Sequence, residues 1–139
     1  MASLLGTPFV FPTVDSILFL EDINEEPYRV DRLLAQLRLA GVLDAASGFL
    51  IGSFSQANVA LPLCLTPGGG NVEDISWGCA EEASPRAVLD EYLLPLGKPI
   101  PGGWPAGHGT PHLALPVGAE VRIDASQGTL TLLQDLLLA

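Results

Sequence analysis

Positive charge is scarce in this sequence. Its 139 residues carry 6 Lys and Arg against 16 Asp and Glu, a formal net charge of −10. A polyanion binder needs a basic face to displace counterions, so the balance argues against DNA, RNA and anionic lipid surfaces as partners. Cysteine is nearly absent as well: Cys64 and Cys79 fall in a Gly- and Pro-rich segment and match no metal-ligand spacing. They are either free thiols or one bridge across a loop, and free thiols in a reducing cytosol are the favoured reading. No apolar run approaches the about 20 residues that a membrane-spanning helix needs. The N-terminus lacks the cationic start of a signal peptide, and Gly6 and Pro8 break its apolar stretch at once. There is no internal repeat.

What the sequence does have is apolar material. Hydrophobic residues make up 48% of the chain, enough for a real core in a domain of this length. Residues 17–32 organise it: Ile17, Leu18, Phe19 and Leu20 end abruptly in Glu21 and Asp22, and after Glu25, Glu26 and Pro27 the pattern restarts as a helix. A short apolar run with β-branched and aromatic members reads as a buried strand over residues 16–20. Pro27 suits the first position of a helix over residues 28–39, with Val30, Leu33, Leu34 and Leu37 on one face and Gly41 beyond its end. Residues 48–54 form a second apolar run, which completes a βαβ unit with a parallel strand pair.

Residues 55–83 lose all periodicity and read as a long, loop-rich insertion. Order returns at Ser84, a good N-cap, followed by Pro85 and the apolar face of Val88, Leu89, Tyr92 and Leu93. A short strand from Lys98 then leads into a Gly-rich loop bearing His108, and residues 119–124 and 129–133 alternate as a closing β-hairpin. The expected architecture is a small single α/β domain, two main helices on a mixed sheet with a C-terminal β-hairpin. Residues 1–15 have no element to belong to and read as an interdomain linker; residues 16–139 form the domain.

Several residues could carry chemistry. Glu21 and Asp22 stand at the carboxyl end of a strand, where α/β sheets place ligands; from the residues alone, solvated acids at a strand exit are the stronger reading. His108 sits between Gly107 and Gly109, which allow unusual backbone angles and close approach to a ligand, as a loop-borne general base requires. A structural histidine is nearly as good an account. His108 and His112 are four apart, but Gly109 and Pro111 forbid the helix that would bring them together as a zinc motif. The glycines at 68–70 lack the Lys and Ser or Thr of a phosphate loop, and Ser53 and Ser55 do not form a Gly-x-Ser-x-Gly elbow. Arg29 and Arg32 could pair with Glu25 or Glu26, or anchor a substrate carboxylate; internal pairing is favoured for Arg32.

Taken together, Leu20 to Glu25, Pro27 to Arg32, Gly52-Ser53-Phe54, Gly107-His108-Gly109 and Leu115 to Ala119 resemble the C-terminal domain of the LD-carboxypeptidases. These serine peptidases include murein tetrapeptide carboxypeptidases and microcin C immunity peptidases. The resemblance runs from about Leu4 to Leu133 and is weakest over residues 55–83. It implies a swivelling-type domain, no cofactor or metal, a murein peptide substrate, a cytoplasmic setting, and a Ser-Glu-His triad in which Glu21 and His108 match the family's glutamate and histidine. Arg29 becomes a candidate substrate-binding residue. The family's serine belongs to an N-terminal flavodoxin-like domain that these residues do not include, so the chain alone is expected to be inactive, and its uncovered interdomain face to favour self-association. The alternative is a non-catalytic binding or structural module that keeps the fold.

Overall fold

Strand β1 is Ile17–Leu20, and its alternation is visible in the packing: Leu18 and Leu20 are buried while Ile17 and Phe19 are half-buried. These elements come from a computed structural model of the chain, which describes residues 1–54, 84–108 and 110–134. The insertion over residues 55–83, with Cys64, Cys79, Ser55 and the glycines at 68–70, lies outside the described residues.

Helix α1, Pro27–Leu39, starts with Pro27 at its first turn and ends with Arg38 in its last, where a cation suits the helix dipole. Val30, Leu34 and Leu37 are its buried residues, whereas Leu33 stays 38% exposed on the rim of that face. Gly41, at φ +74°, turns the chain into a four-residue helix, α2, Val42–Ala45. Too short to show a helical period, α2 is invisible to pattern reading, yet it contributes the fully buried Leu43. Its terminal carbonyls are gathered by one side chain: Lys98 Nζ donates to the oxygens of Leu43, Asp44 and Ala46. An ammonium has three donors, and here each meets an orphan carbonyl.

Strand β2, Gly48–Ile51, pairs parallel with β1 in the register Ile17 to Gly48 through Leu20 to Ile51. All four of its residues are buried because it is flanked on both sides. On the far side, Phe49 and Ile51 donate to the carbonyls of Pro99 and Pro101. Prolines have no N–H for the ladder, which confines such a segment to a sheet edge; the expected strand from Lys98 is therefore a single bridge at Ile100.

Helix α3, Pro85–Leu93, is capped by Ser84, whose Oγ accepts the Ala87 N–H at 3.1 Å, and it runs into a 3-10 turn, Leu94–Leu96, closed by Gly97 at φ +63°. Val88, Leu89 and Leu93 join Leu18, Leu20, Val30, Leu34, Phe49 and Ile51 in one core. Strands β3, Val121–Asp124, and β4, Thr129–Leu132, form the expected antiparallel pair, but as a two-stranded sheet of their own. Asp124 holds their turn: its Oδ1 accepts from the Ser126 hydroxyl and from the amides of Gln127 and Ser126, and these bonds keep its carboxyl below the usual range. The lead-in also differs from expectation. Ala2–Leu4 make a 3-10 turn, Ala2 and Leu5 pack on the core, and Gln36 Nε2 donates to Ala2 O. Among the described residues no helix is long and apolar enough to cross a membrane.

The two main helices are cross-linked by Tyr92, whose hydroxyl donates to Asp31 Oδ1 at 2.9 Å. That bond, then partial burial, lifts the Tyr92 phenol above its ordinary pKa. The neutral phenol is thus favoured by folding, so the stabilisation is present below the unfolded value of about 10 and lost as pH rises beyond it. Tyr92→Phe is expected to lower stability at neutral pH by about 0.5–1.5 kcal/mol. In urea titrations the gap to wild type should narrow above pH ~10; a gap that stays constant or widens contradicts this account.

Candidate active site at the edge of the parallel pair

The β1–β2 ladder does not stop at the strand ends. Gly52 donates to Leu20 O at 2.9 Å and Asp22 donates to Ser53 O at 3.0 Å, so the backbone around Glu21 is fixed as far as two residues past each strand. This is the carboxyl edge of the parallel pair, the side on which open α/β sheets bind their ligands. The Gly-rich loop is drawn across that edge by Trp104, which donates to Ile51 O at 2.9 Å, and by Ala106, which donates to Trp104 O at 2.8 Å.

Two glycines permit the approach. A Cβ on Gly52 would lie 2.8 Å from Phe19 Cζ and 3.0 Å from Ala106 O, so any side chain there would push the loop off the sheet. Gly107 adopts φ +97°, and a Cβ on it would lie 2.6 Å from Glu21 Oε2 and 2.9 Å from Glu21 Cδ. The Glu21 carboxylate occupies the space that a side chain at 107 would fill.

His108 follows, and its Nδ1 lies 2.9 Å from Glu21 Oε2, joining residues 87 positions apart. A carboxylate only accepts hydrogen bonds, so the ring nitrogen facing it carries the proton. In the neutral ring that assignment leaves Nε2 as a lone pair. The Glu21 side chain is 22% exposed and the His108 ring 54%, so the carboxylate is partly sheltered while the imidazole stays within reach of a reactant. This arrangement can orient an imidazole, accept a proton at Nε2 and stabilise the imidazolium formed.

The other sequence candidates lie differently. Asp22 turns back on its own chain, its Oδ1 accepting the Ile23 N–H at 2.8 Å. Arg29 contacts Glu25, at 3.3 Å, and the Tyr28 hydroxyl, at 3.2 Å. The Tyr28 contact first, then Glu25, holds its guanidinium above its ordinary pKa. Arg32, expected in an internal ion pair, instead lies 5.5 Å from the centre of the Tyr28 ring. The pair with Glu25, which lies just before α1, goes to Arg29 in the first turn of that helix, four residues on. His112 Nδ1 donates to Gly107 O, so the two histidines have separate partners. Among the described residues no group of three His, Cys, Asp or Glu could hold a metal ion. Sequence reasoning named Gly52 within the family resemblance and weighed His112 for a zinc spacing, but read neither the close approach at Gly52 nor the tie from His112 to Gly107 O; the glycines beside His108 were the hint of how closely the loop approaches.

The described residues thus place a carboxylate–histidine pair at the carboxyl edge of two parallel strands in a small α/β domain. The family model for the LD-carboxypeptidase C-terminal domain matches residues 1–123, and the chain belongs to that family. A probable murein peptide carboxypeptidase from Bacillus subtilis is 33% identical over 129 residues, covering 93% of this chain and 35% of that protein. The crystal structure of muramoyltetrapeptide carboxypeptidase from Oxalobacter formigenes superposes with TM-score 0.63 at 30% identity, over 94% of this chain and 39% of that one. The microcin C7 self-immunity protein, solved in complex with aspartyl sulfamoyl adenosine, shares the fold with TM-score 0.71 at 23% identity, over 95% of this chain and 34% of that one. The chain thus spans little more than a third of the length of such relatives.

Gly107→Ala is expected to destabilise the domain by about 1–3 kcal/mol, from the backbone angle and the collision with Glu21 together. Gly118, at φ +81° with nothing within 4 Å of a built Cβ, isolates the first cause. Denaturant unfolding should rank Gly107→Ala well below Gly118→Ala; equal losses would mean that Glu21 does not press on that site.

Proposed function

We propose that this domain supplies the general base and its orienting carboxylate to a serine-type LD-carboxypeptidase that removes a terminal D-amino acid from murein tetrapeptide in peptidoglycan recycling. The single observation that carries the proposal is the 2.9 Å contact between His108 Nδ1 and Glu21 Oε2. The relatives' descriptions as murein peptide and muramoyltetrapeptide carboxypeptidases support the substrate class. The cytoplasm is the proposed setting, in keeping with cysteines read as free thiols.

The nucleophile comes from elsewhere. Residues 1–139 contain no Gly-x-Ser-x-Gly elbow, and the proposed serine lies on a partnering N-terminal domain. His108 Nε2 takes the serine proton as the oxygen attacks the amide between an L-residue and the terminal D-residue. The resulting imidazolium, held by Glu21, returns that proton to the departing amine, and water then releases the acyl group by the same route. Arg29 would exchange Glu25 for the terminal carboxylate of the peptide. Exposed Phe9, Val10, Phe11 and Val14 offer an apolar face on which the nucleophile domain can dock, or on which the isolated chain can self-associate.

Release of D-alanine from an LD-linked tetrapeptide tests the proposal. The 139-residue chain should show no significant turnover alone, and activity should appear when the nucleophile-bearing domain is added in trans. In that mixture Glu21→Gln should lower kcat by on the order of 10⁴-fold and His108→Ala by at least as much. Robust turnover by the pure chain, or a mixture indifferent to either substitution, would refute the assignment.

A further inference from the structure

The loop that presents His108 is tied in two places. Leu113 donates its amide to Pro105 O at 2.7 Å, closing the loop at its base. Inside that closure, His112 Nδ1 reaches back to Gly107 O. The Gly107 carbonyl belongs to the same peptide unit as the His108 nitrogen. Because a peptide unit is planar, fixing the direction of that carbonyl fixes the plane from which the His108 Cα and side chain project. Gly107 is the residue with the least backbone restraint of its own, so an external tie has most effect there.

We propose that His112 is a positioning residue for His108: it pins the peptide between Gly107 and His108, and thereby holds the imidazole against Glu21. A carbonyl only accepts, so the Nδ1 of His112 carries its proton in this contact. The bond survives whether the ring is neutral or charged, since Nδ1 is protonated in both. In this part His112 works through geometry, by the direction it imposes on the Gly107 carbonyl. The two ends of the 107–108 unit are then both determined, Gly107 by the space shared with Glu21 and by its carbonyl bond, His108 by its Nδ1 contact. The consequence for chemistry rests on the proposed triad reading, whereas the positioning itself does not.

The test is built so that the two can fail separately. In the 139-residue chain, solvent exchange of the His108 Nδ1 proton is measured by NMR for wild type, His112→Ala, His112→Leu and His112→Asn. Asparagine can place an amide N–H near where Nδ1 stands, so the Asn variant should retain protection. The Ala and Leu variants should lose it by at least about tenfold at an unchanged thermal midpoint, since His112 is exposed and outside the core. Protection that is the same in all four variants, or lost equally in the Asn variant, overturns the proposal. In the peptidase assembled with its nucleophile domain, His112→Ala should lower kcat on the order of tenfold to a hundredfold with KM unchanged, and His112→Asn should restore most of it. If the exchange results hold while the wild-type assembly has no activity, the positioning role stands and the triad reading falls.

Discussion

The Glu21 carboxylate and residue 107 compete for one volume, and the site exists because residue 107 yields it. A built Cβ at Gly107 would meet three atoms of Glu21 within 3.1 Å. Everything upstream serves to bring those two points together: the parallel ladder carries Glu21 to the sheet edge, and the amide of Trp104 hooks the loop onto Ile51 O. The His108–Glu21 contact is therefore a result of backbone approach more than of side-chain affinity. A half-exposed carboxylate–imidazole pair contributes little stability by itself. Its geometry is held by the core beneath it.

That core is small and depends on β2. Each residue of Gly48–Ile51 is buried because β1 covers one edge and the proline-flanked Ile100 segment the other. Phe49 and Leu43, both fully buried, fill the space between sheet and helices, and burying such side chains is worth about 1.5–3 kcal/mol each. Lys98 links this interior to the edge segment: its ammonium ties the end of α2 while its neighbour Pro99 offers a carbonyl to Phe49. The hairpin of β3 and β4, by contrast, has no fully buried residue. It is held by its own ladder and by the Asp124 turn.

Much of this was legible in the sequence, for physical reasons. The β1–α1–β2 unit could be read because a four-residue apolar run, a proline start and a clear helical period are all local signals. Ser84 and Pro85 marked α3 equally well. The site was readable as two separate fragments, an acid at a strand end and a histidine between glycines; the family resemblance joined them. What could not be read was tertiary in origin. Helix α2 is one turn long and set by Gly41 and Lys98; the strand from Lys98 is cut to a bridge by prolines that can only accept; and Arg32 was expected to pair because charge says nothing about which of two arginines faces Glu25. Gly52 matters through Phe19 and Ala106, neighbours that no spacing rule reveals.

Through the Glu21 contact, this chain by itself sets one tautomer of His108. Nitrogen NMR of His108 in the 139-residue chain measures it directly, by comparing wild type with Glu21→Gln at a pH where the ring is neutral. The wild-type proton should reside on Nδ1, with Nε2 bare, and the glutamine variant should shift population toward the Nε2-protonated form. A ring already protonated on Nε2 in wild type, or a tautomer balance that ignores the substitution, would contradict it.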